Sequence, residues 1–174
     1  MRRLLLLVPV LATLAMAAAC NGDDSPTDPS DETVTFLAQL SPANEIPAVT
    51  GAEASGSGTA RIVFRLERDS ANAITDAEAD FQVTLAGFPP NTALTMAHIH
   101  IGEADDVGDI VVNTGLAAGQ VTLTTGTATF TKEDINVTPA LAQQILNAPD
   151  DFYFNVHSTL NPGGVVRAQL VRTQ

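Results

Sequence analysis

Apolar residues recur at every second position along most of this chain, a pattern that extended backbone satisfies and a helix does not. From Thr33 to Leu40, Val34, Phe36, Ala38 and Leu40 fall on one side and Thr35 and Gln39 on the other. From Thr59 to Glu67, Ala60, Ile62, Phe64 and Leu66 oppose Arg61, Arg65 and Glu67. A third segment, Ala73 to Leu85, sets Ala79, Phe81, Val83 and Leu85 against Asp80, Gln82 and Thr84, and its length predicts one long or bulged strand. Withdrawing the apolar sets from water orients every one of these faces toward a common core. Paired Pro89 and Pro90 end the third segment, because proline cannot serve in a central ladder.

Further strands are expected at Thr92 to Ile101, Ile110 to Val112, Val121 to Leu123, Gly126 to Phe130, Asp151 to Ser158 and Val165 to Val171. The last two are joined by the Leu160-Asn161-Pro162-Gly163-Gly164 turn as a hairpin. One helix is signalled at Thr138 to Asn147. Thr138 is its cap, Pro139 suits the first turn, Leu141, Ile145 and Leu146 form its stripe, and Pro149 stops it. Eight or nine short strands and one brief helix predict an all-β fold, an antiparallel sandwich or barrel.

The first nineteen residues carry a different signal. Arg2 and Arg3 precede an apolar run from Leu4 to Ala15, and Ala17-Ala18-Ala19 sets small residues before Cys20. This is the plan of a signal peptide, too short for a membrane span. Its end resembles a bacterial lipoprotein box, which implies that Cys20, the single cysteine of the chain, becomes the lipidated first residue. Residues 20–32 are then the anchor and an acidic tether rich in Asp, Ser and Pro, and the β domain occupies 33–174. Asn21 after the cysteine, in place of an aspartate, favours the outer membrane if the host is Gram-negative. The net charge is -12 at pH 7, and loss of Arg2 and Arg3 with the leader takes it to -14. Such a surface repels phosphate backbones and anionic lipid, which argues against nucleic-acid binding and leaves the lipid anchor as the sole membrane contact.

All three histidines lie in two stretches, Ala97-His98-Ile99-His100-Ile101 and Tyr153-Phe154-Asn155-Val156-His157. Alternation puts His98 and His100 on one face and His157 on a face with Tyr153 and Asn155. If the two strands are neighbours the imidazoles converge.

Four motifs in order carry a family likeness: Asn44-Glu45-Ile46-Pro47, then Ala97-His98-Ile99-His100, then Phe152 to Ser158 with Asn161-Pro162-Gly163-Gly164, then Arg167-Ala168-Gln169-Leu170. Over about Thr33 to Leu170 the chain resembles the CHRD domain, named for the developmental antagonist chordin and widespread in bacterial secreted proteins. The resemblance implies an immunoglobulin-like β-sandwich or barrel and, from the chordin setting, a protein-binding role. Two positions depart from the pattern: Val165 stands where the family commonly has an acid after Pro-Gly-Gly, and Ala168 stands where a glycine is usual. Val165 favours an architectural reading of the histidines over an ionic one.

Two readings of the histidines follow. In the first they belong to a polar network with Tyr153, Asn155, Arg167 and Gln169 that pins neighbouring loops. In the second, three imidazole nitrogens at His98, His100 and His157 coordinate copper or zinc, with a carboxylate or water completing the set. The acidic loop of Glu103, Asp105, Asp106 and Asp109 is a further, weaker candidate for calcium, although it lacks the spacing of the helix-loop-helix motif. No catalytic residues are legible. Ser158 and His157 are adjacent on a strand and so face opposite ways, and Lys132, the one lysine, has no phosphate-cradling glycine loop. The sequence alone therefore favours a lipid-anchored extracytoplasmic binding or structural module without a cofactor, contacting a protein or envelope component. The alternative is a histidine-coordinated copper or zinc protein, with enzymatic activity if the metal site is open.

Overall fold

The computed structural model describes residues 30–174, so the leader, Cys20 and most of the tether lie outside the described residues. Among the described residues ten strands form two sheets. The first runs β10-β1-β2-β3-β7, from β1 (Ser30–Leu40), β2 (Ser57–Arg68), β3 (Ile74–Ala86), β7 (Ala128–Asn136) and β10 (Val171–Arg172). The second runs β5-β4-β8-β9, from β4 (Thr92–Ile101), β5 (Ile110–Asn113), β8 (Phe152–Ser158) and β9 (Val166–Gln169), with β6 (Thr122–Leu123) pairing separately with β4. All pairings are antiparallel. The fold is a β-sandwich with one short helix.

The core sits where the alternation puts it. Val34, Phe36, Ala38, Ala60, Ile62, Phe64, Ala79 and Val83 are fully buried on the first sheet, and Ala97, Ile99, Phe154 and Val156 on the second. Phe81 of β3 stacks on Phe154 of β8 with centroids 5.7 Å apart, which ties the layers together. Helix α1 (Pro139–Asn147) buries Ala142 and Ile145 and packs against β3, and the Thr138 hydroxyl accepts from the Leu141 amide. Among the described residues no helix is long and apolar enough to cross a membrane.

Three boundaries differ from expectation. β1 begins at Ser30, so the last residues assigned to the tether are strand. They pair with Leu66 to Arg68, and Glu32 accepts from Arg68 Nε at 2.6 Å. β7 runs on to Asn136 through Lys132, Glu133 and Asp134, charges tolerated because β7 is a sheet edge. A bulge there puts Asp134 at φ 56°, its amide donates to Asp80, and Arg65 joins Glu78, Asp80 and Asp134 in one surface ion cluster. The final segment is divided at Leu170, which is buried, into β9 and β10 on different sheets. At the start of that segment, reciprocal backbone bonds between Ser41 and Arg167 join the end of β1 to β9. They close one side of the sandwich beneath the histidine face.

Candidate metal centre

β4 and β8 are neighbours, and their register sets His98 opposite Asn155, His100 opposite Tyr153 and Met96 opposite His157. On the far side of β8, Arg167 pairs with Asn155 and Gln169 with Tyr153. Directly opposed residues project to the same side of a sheet, so these eight side chains share the face turned away from the core. Strand alternation predicts an exposed polar face. Instead all seven residues of β8 are buried, because three loops roof the sheet: 41–56, 102–109 and 159–165.

Under the roof the three imidazoles meet. Ring centroids lie 5.1 Å apart for His98 and His157, 5.5 Å for His98 and His100, and 6.3 Å for His100 and His157. One nitrogen from each falls within 4.8 Å of the other two, and this is the one such ligand group among the described residues. Zinc–imidazole bonds of about 2.1 Å in tetrahedral geometry set two nitrogens on one ion roughly 3.4 Å apart. Side-chain movements on the order of an ångström are thus sufficient to close the set.

The hydrogen bonds around the rings determine which nitrogens are available. His100 Nδ1 is 2.9 Å from the Gly108 carbonyl, and His157 Nδ1 is 2.9 Å from the Pro162 carbonyl. A carbonyl only accepts, so each Nδ1 carries the proton and each Nε2 keeps its lone pair. Both Nε2 atoms are buried without a partner, as is His98 Nδ1. Pairing with backbone carbonyls, the outcome expected of a purely structural network, leaves here the nitrogen a metal uses. This is the usual arrangement behind a ligating histidine. Burial holds all three rings neutral. The His98 pKa falls to about 4 through desolvation and its two histidine neighbours, and desolvation likewise lowers those of His100 and His157. Neutral imidazole is the form that binds metal.

Arg167 organises the roof. Its guanidinium lies over the Tyr153 ring at 4.0 Å, and Tyr153 in turn stacks on His100, 4.8 Å away and 3° from parallel. The same guanidinium donates to the carbonyls of Asp106 at 2.8 Å, Ala104 at 2.7 Å and Glu103 at 3.3 Å. Gln169 holds Gly102 and Asp150 by their carbonyls. Tyr153, Asn155, Arg167 and Gln169 thus surround the imidazoles, but their hydrogen bonds go to Glu45 and to the main chain, not to the imidazole nitrogens. The acidic loop is different. Arg167 takes its inward carbonyls, while the carboxylates of Glu103, Asp105, Asp106 and Asp109 stand exposed and are not gathered into a ligand group like that of the histidines.

Two acids that sequence reasoning did not assign to this site are buried at it. Glu45 accepts from Asn155 Nδ2 through both oxygens at 3.1 Å, and desolvation raises its pKa to about 7 against the opposing pull of Arg167 and Asn155. Glu53 accepts from the Ser158 hydroxyl and from Asn161 Nδ2, both at 2.6 Å, and so anchors the turn that carries Pro162. Their polar, proline-bounded loop gives no periodic signal. Val165, the departure after Pro-Gly-Gly, is fully buried in the core, and Glu45 supplies the acid on the histidine side of the sheet. Gly164 is pressed against that acid: a Cβ there would stand 2.5 Å from Glu45 Oε2 and 2.6 Å from Asn155 Nδ2.

Comparison with known proteins agrees with the motifs. No curated protein and no solved structure matches this chain. The family model of the CHRD domain matches residues 36–170, which takes in all of the second sheet, most of the first and every residue of the histidine centre. The chain belongs to the CHRD domain family.

Proposed function

We propose that this protein is an extracytoplasmic metal-binding module that holds one copper or zinc ion on His98, His100 and His157. The observation that carries the reading is the pair of buried, unpartnered Nε2 atoms whose rings are locked in the metal-ready tautomer by the Gly108 and Pro162 carbonyls. A buried polar atom left unpaired costs about 1–3 kcal/mol, and the Nε2 atoms of His100 and His157 are two such atoms. A bound cation removes that cost at both. Met96, on the same face and 39% exposed, adds a thioether beside His157, a soft donor that suits copper(I). The leader-like first nineteen residues and Cys20 support export and a lipid anchor. Contact with an envelope partner through the roofing loops is compatible with the metal reading.

Elemental analysis of tag-free protein, with zinc and copper added back separately, tests the proposal. Near-stoichiometric metal is expected in the wild type. It should be lost in a His98→Ala/His100→Ala variant that keeps its β-sheet circular dichroism. A wild type that takes up neither ion would return the histidines to a purely structural role.

A further inference from the structure

His98 is the histidine without a carbonyl partner. Its Nδ1 is buried and unpaired, whereas those of His100 and His157 donate to Gly108 and Pro162. Its cross-strand neighbour on the same face is Asn155, whose Oδ1 is also buried without a partner. The Asn155 amide is oriented from its other end, since Nδ2 donates to both carboxylate oxygens of Glu45. Gly164 closes over Asn155 and Glu45 with no room for a side chain. One neighbour therefore offers an unused acceptor, and the other an unused ring nitrogen that a proton would make a donor.

We propose that Asn155, held by Glu45, is the positioning residue of His98: its Oδ1 accepts the His98 Nδ1 proton when metal is present, leaving Nε2 as the third ligand. All three histidines then use one tautomer, each set by a carbonyl oxygen, two from the main chain and one from an amide. Glu45 acts at one remove, by keeping the amide from turning over. This inference rests on the metal reading above.

The test is long-range 1H–15N correlation NMR on 15N-histidine-labelled full chain, with and without Zn(II), alongside zinc affinity by chelator competition. Expected in the zinc-loaded wild type is a protonated Nδ1 and a metal-bound Nε2 on every histidine. Asn155→Ala should lower zinc affinity 10- to 100-fold and leave the His100 and His157 tautomers unchanged. Glu45→Ala should weaken binding in the same direction. Glu45→Gln, whose carbonyl still accepts from Asn155 Nδ2, should recover most of the loss. Zinc bound with His98 coordinated through Nδ1 overturns this inference and leaves the metal reading intact, as does an Asn155→Ala variant that binds zinc like the wild type. A wild type that binds no zinc or copper overturns both. The wild-type spectrum decides the matter even if a variant does not fold.

Discussion

His100 and Tyr153 face each other across β4 and β8 with their rings 3° from parallel, and Arg167 lies on the other side of the tyrosine. The column does two things at once. It fixes the plane of an imidazole whose Nδ1 is already held by Gly108, and it brings a permanent positive charge near enough to disfavour a proton on that ring. The Tyr153 hydroxyl completes the frame by accepting from the Gly108 amide at 3.3 Å. Tyr153→Phe keeps the stack and loses this bond, so a stability loss of about 1 kcal/mol is expected. Tyr153→Ala removes a fully buried ring and should cost about 3–5 kcal/mol. Urea denaturation of the two variants at one pH separates the contributions. Equal losses would mean that the ring contributes nothing beyond its hydroxyl.

The metal-free protein should show two opposed pH dependences. Between pH 4 and 6.5 an unfolded chain binds a proton at His98 that the folded chain refuses, so stability falls as pH falls through this window. Between pH 4.5 and 7 the unfolded chain has released the Glu45 proton that the folded chain keeps, so stability falls as pH rises. Each of these two shifts corresponds to about 3 kcal/mol at its limit, and over the shared range Glu45 opposes His98, with which the lowered His100 and His157 act in the same direction. Glu45→Gln removes the second. Its midpoint in urea should exceed that of the wild type at pH 8, with the gap closing below pH 4.5. Parallel wild-type and variant profiles across this range would rule the account out.

Gly108 is a position where side-chain volume translates into ligand geometry. A Cβ on Gly108 collides with the Ile101 carbonyl oxygen, so Gly108→Ala must displace the loop that presents the His100 acceptor. The expected result is a roughly tenfold loss of zinc affinity, a magnitude typical of disturbing a ligand's hydrogen-bond partner. Competition with a coloured chelator measures it, and unchanged far-ultraviolet circular dichroism would locate the effect in the loop. Undiminished affinity would show that the His100 acceptor does not matter to binding.

Arg167 is 2% exposed and spends its donors on three carbonyls of one loop. Lysine keeps the charge but lacks the planar fork and the flat face that lies on Tyr153. Arg167→Lys should cost about 2–4 kcal/mol and speed amide hydrogen exchange across residues 102–109 before any other segment. Exchange that accelerates evenly over the whole domain would point to general loosening and away from a roof held by this side chain.

How much of this was legible in the sequence depended on whether a residue announced itself through periodicity. β2 and β4 read directly, because Ala60, Ile62, Phe64 and Leu66 alternate and Thr92 to Ile101 is bounded by a proline turn and a glycine. The start of β1 did not, since Ser30, Asp31 and Glu32 have tether composition and become strand only through pairing with β2. The tail of β7 was hidden by its charges, which an edge strand accepts. At the centre, the convergence of His98, His100 and His157 was visible as a conditional: it needed β4 and β8 to be neighbours, and they are. The partners that set the tautomers were invisible in principle. They are main-chain oxygens of Gly108 and Pro162, and no residue type marks them. Glu45 was legible only as part of a family motif and Glu53 not at all, because both are polar residues in a polar loop that then fold inward.

Where residues 102–109 form it, the roof is gripped by its main chain. Arg167, Gln169 and two imidazoles reach carbonyl oxygens, which every amino acid supplies alike. The outward side chains of residues 103–107, all exposed, are therefore free to drift. Among relatives of this domain, the surface shown to the surroundings can diversify from one lineage to the next without any change at the histidines beneath it.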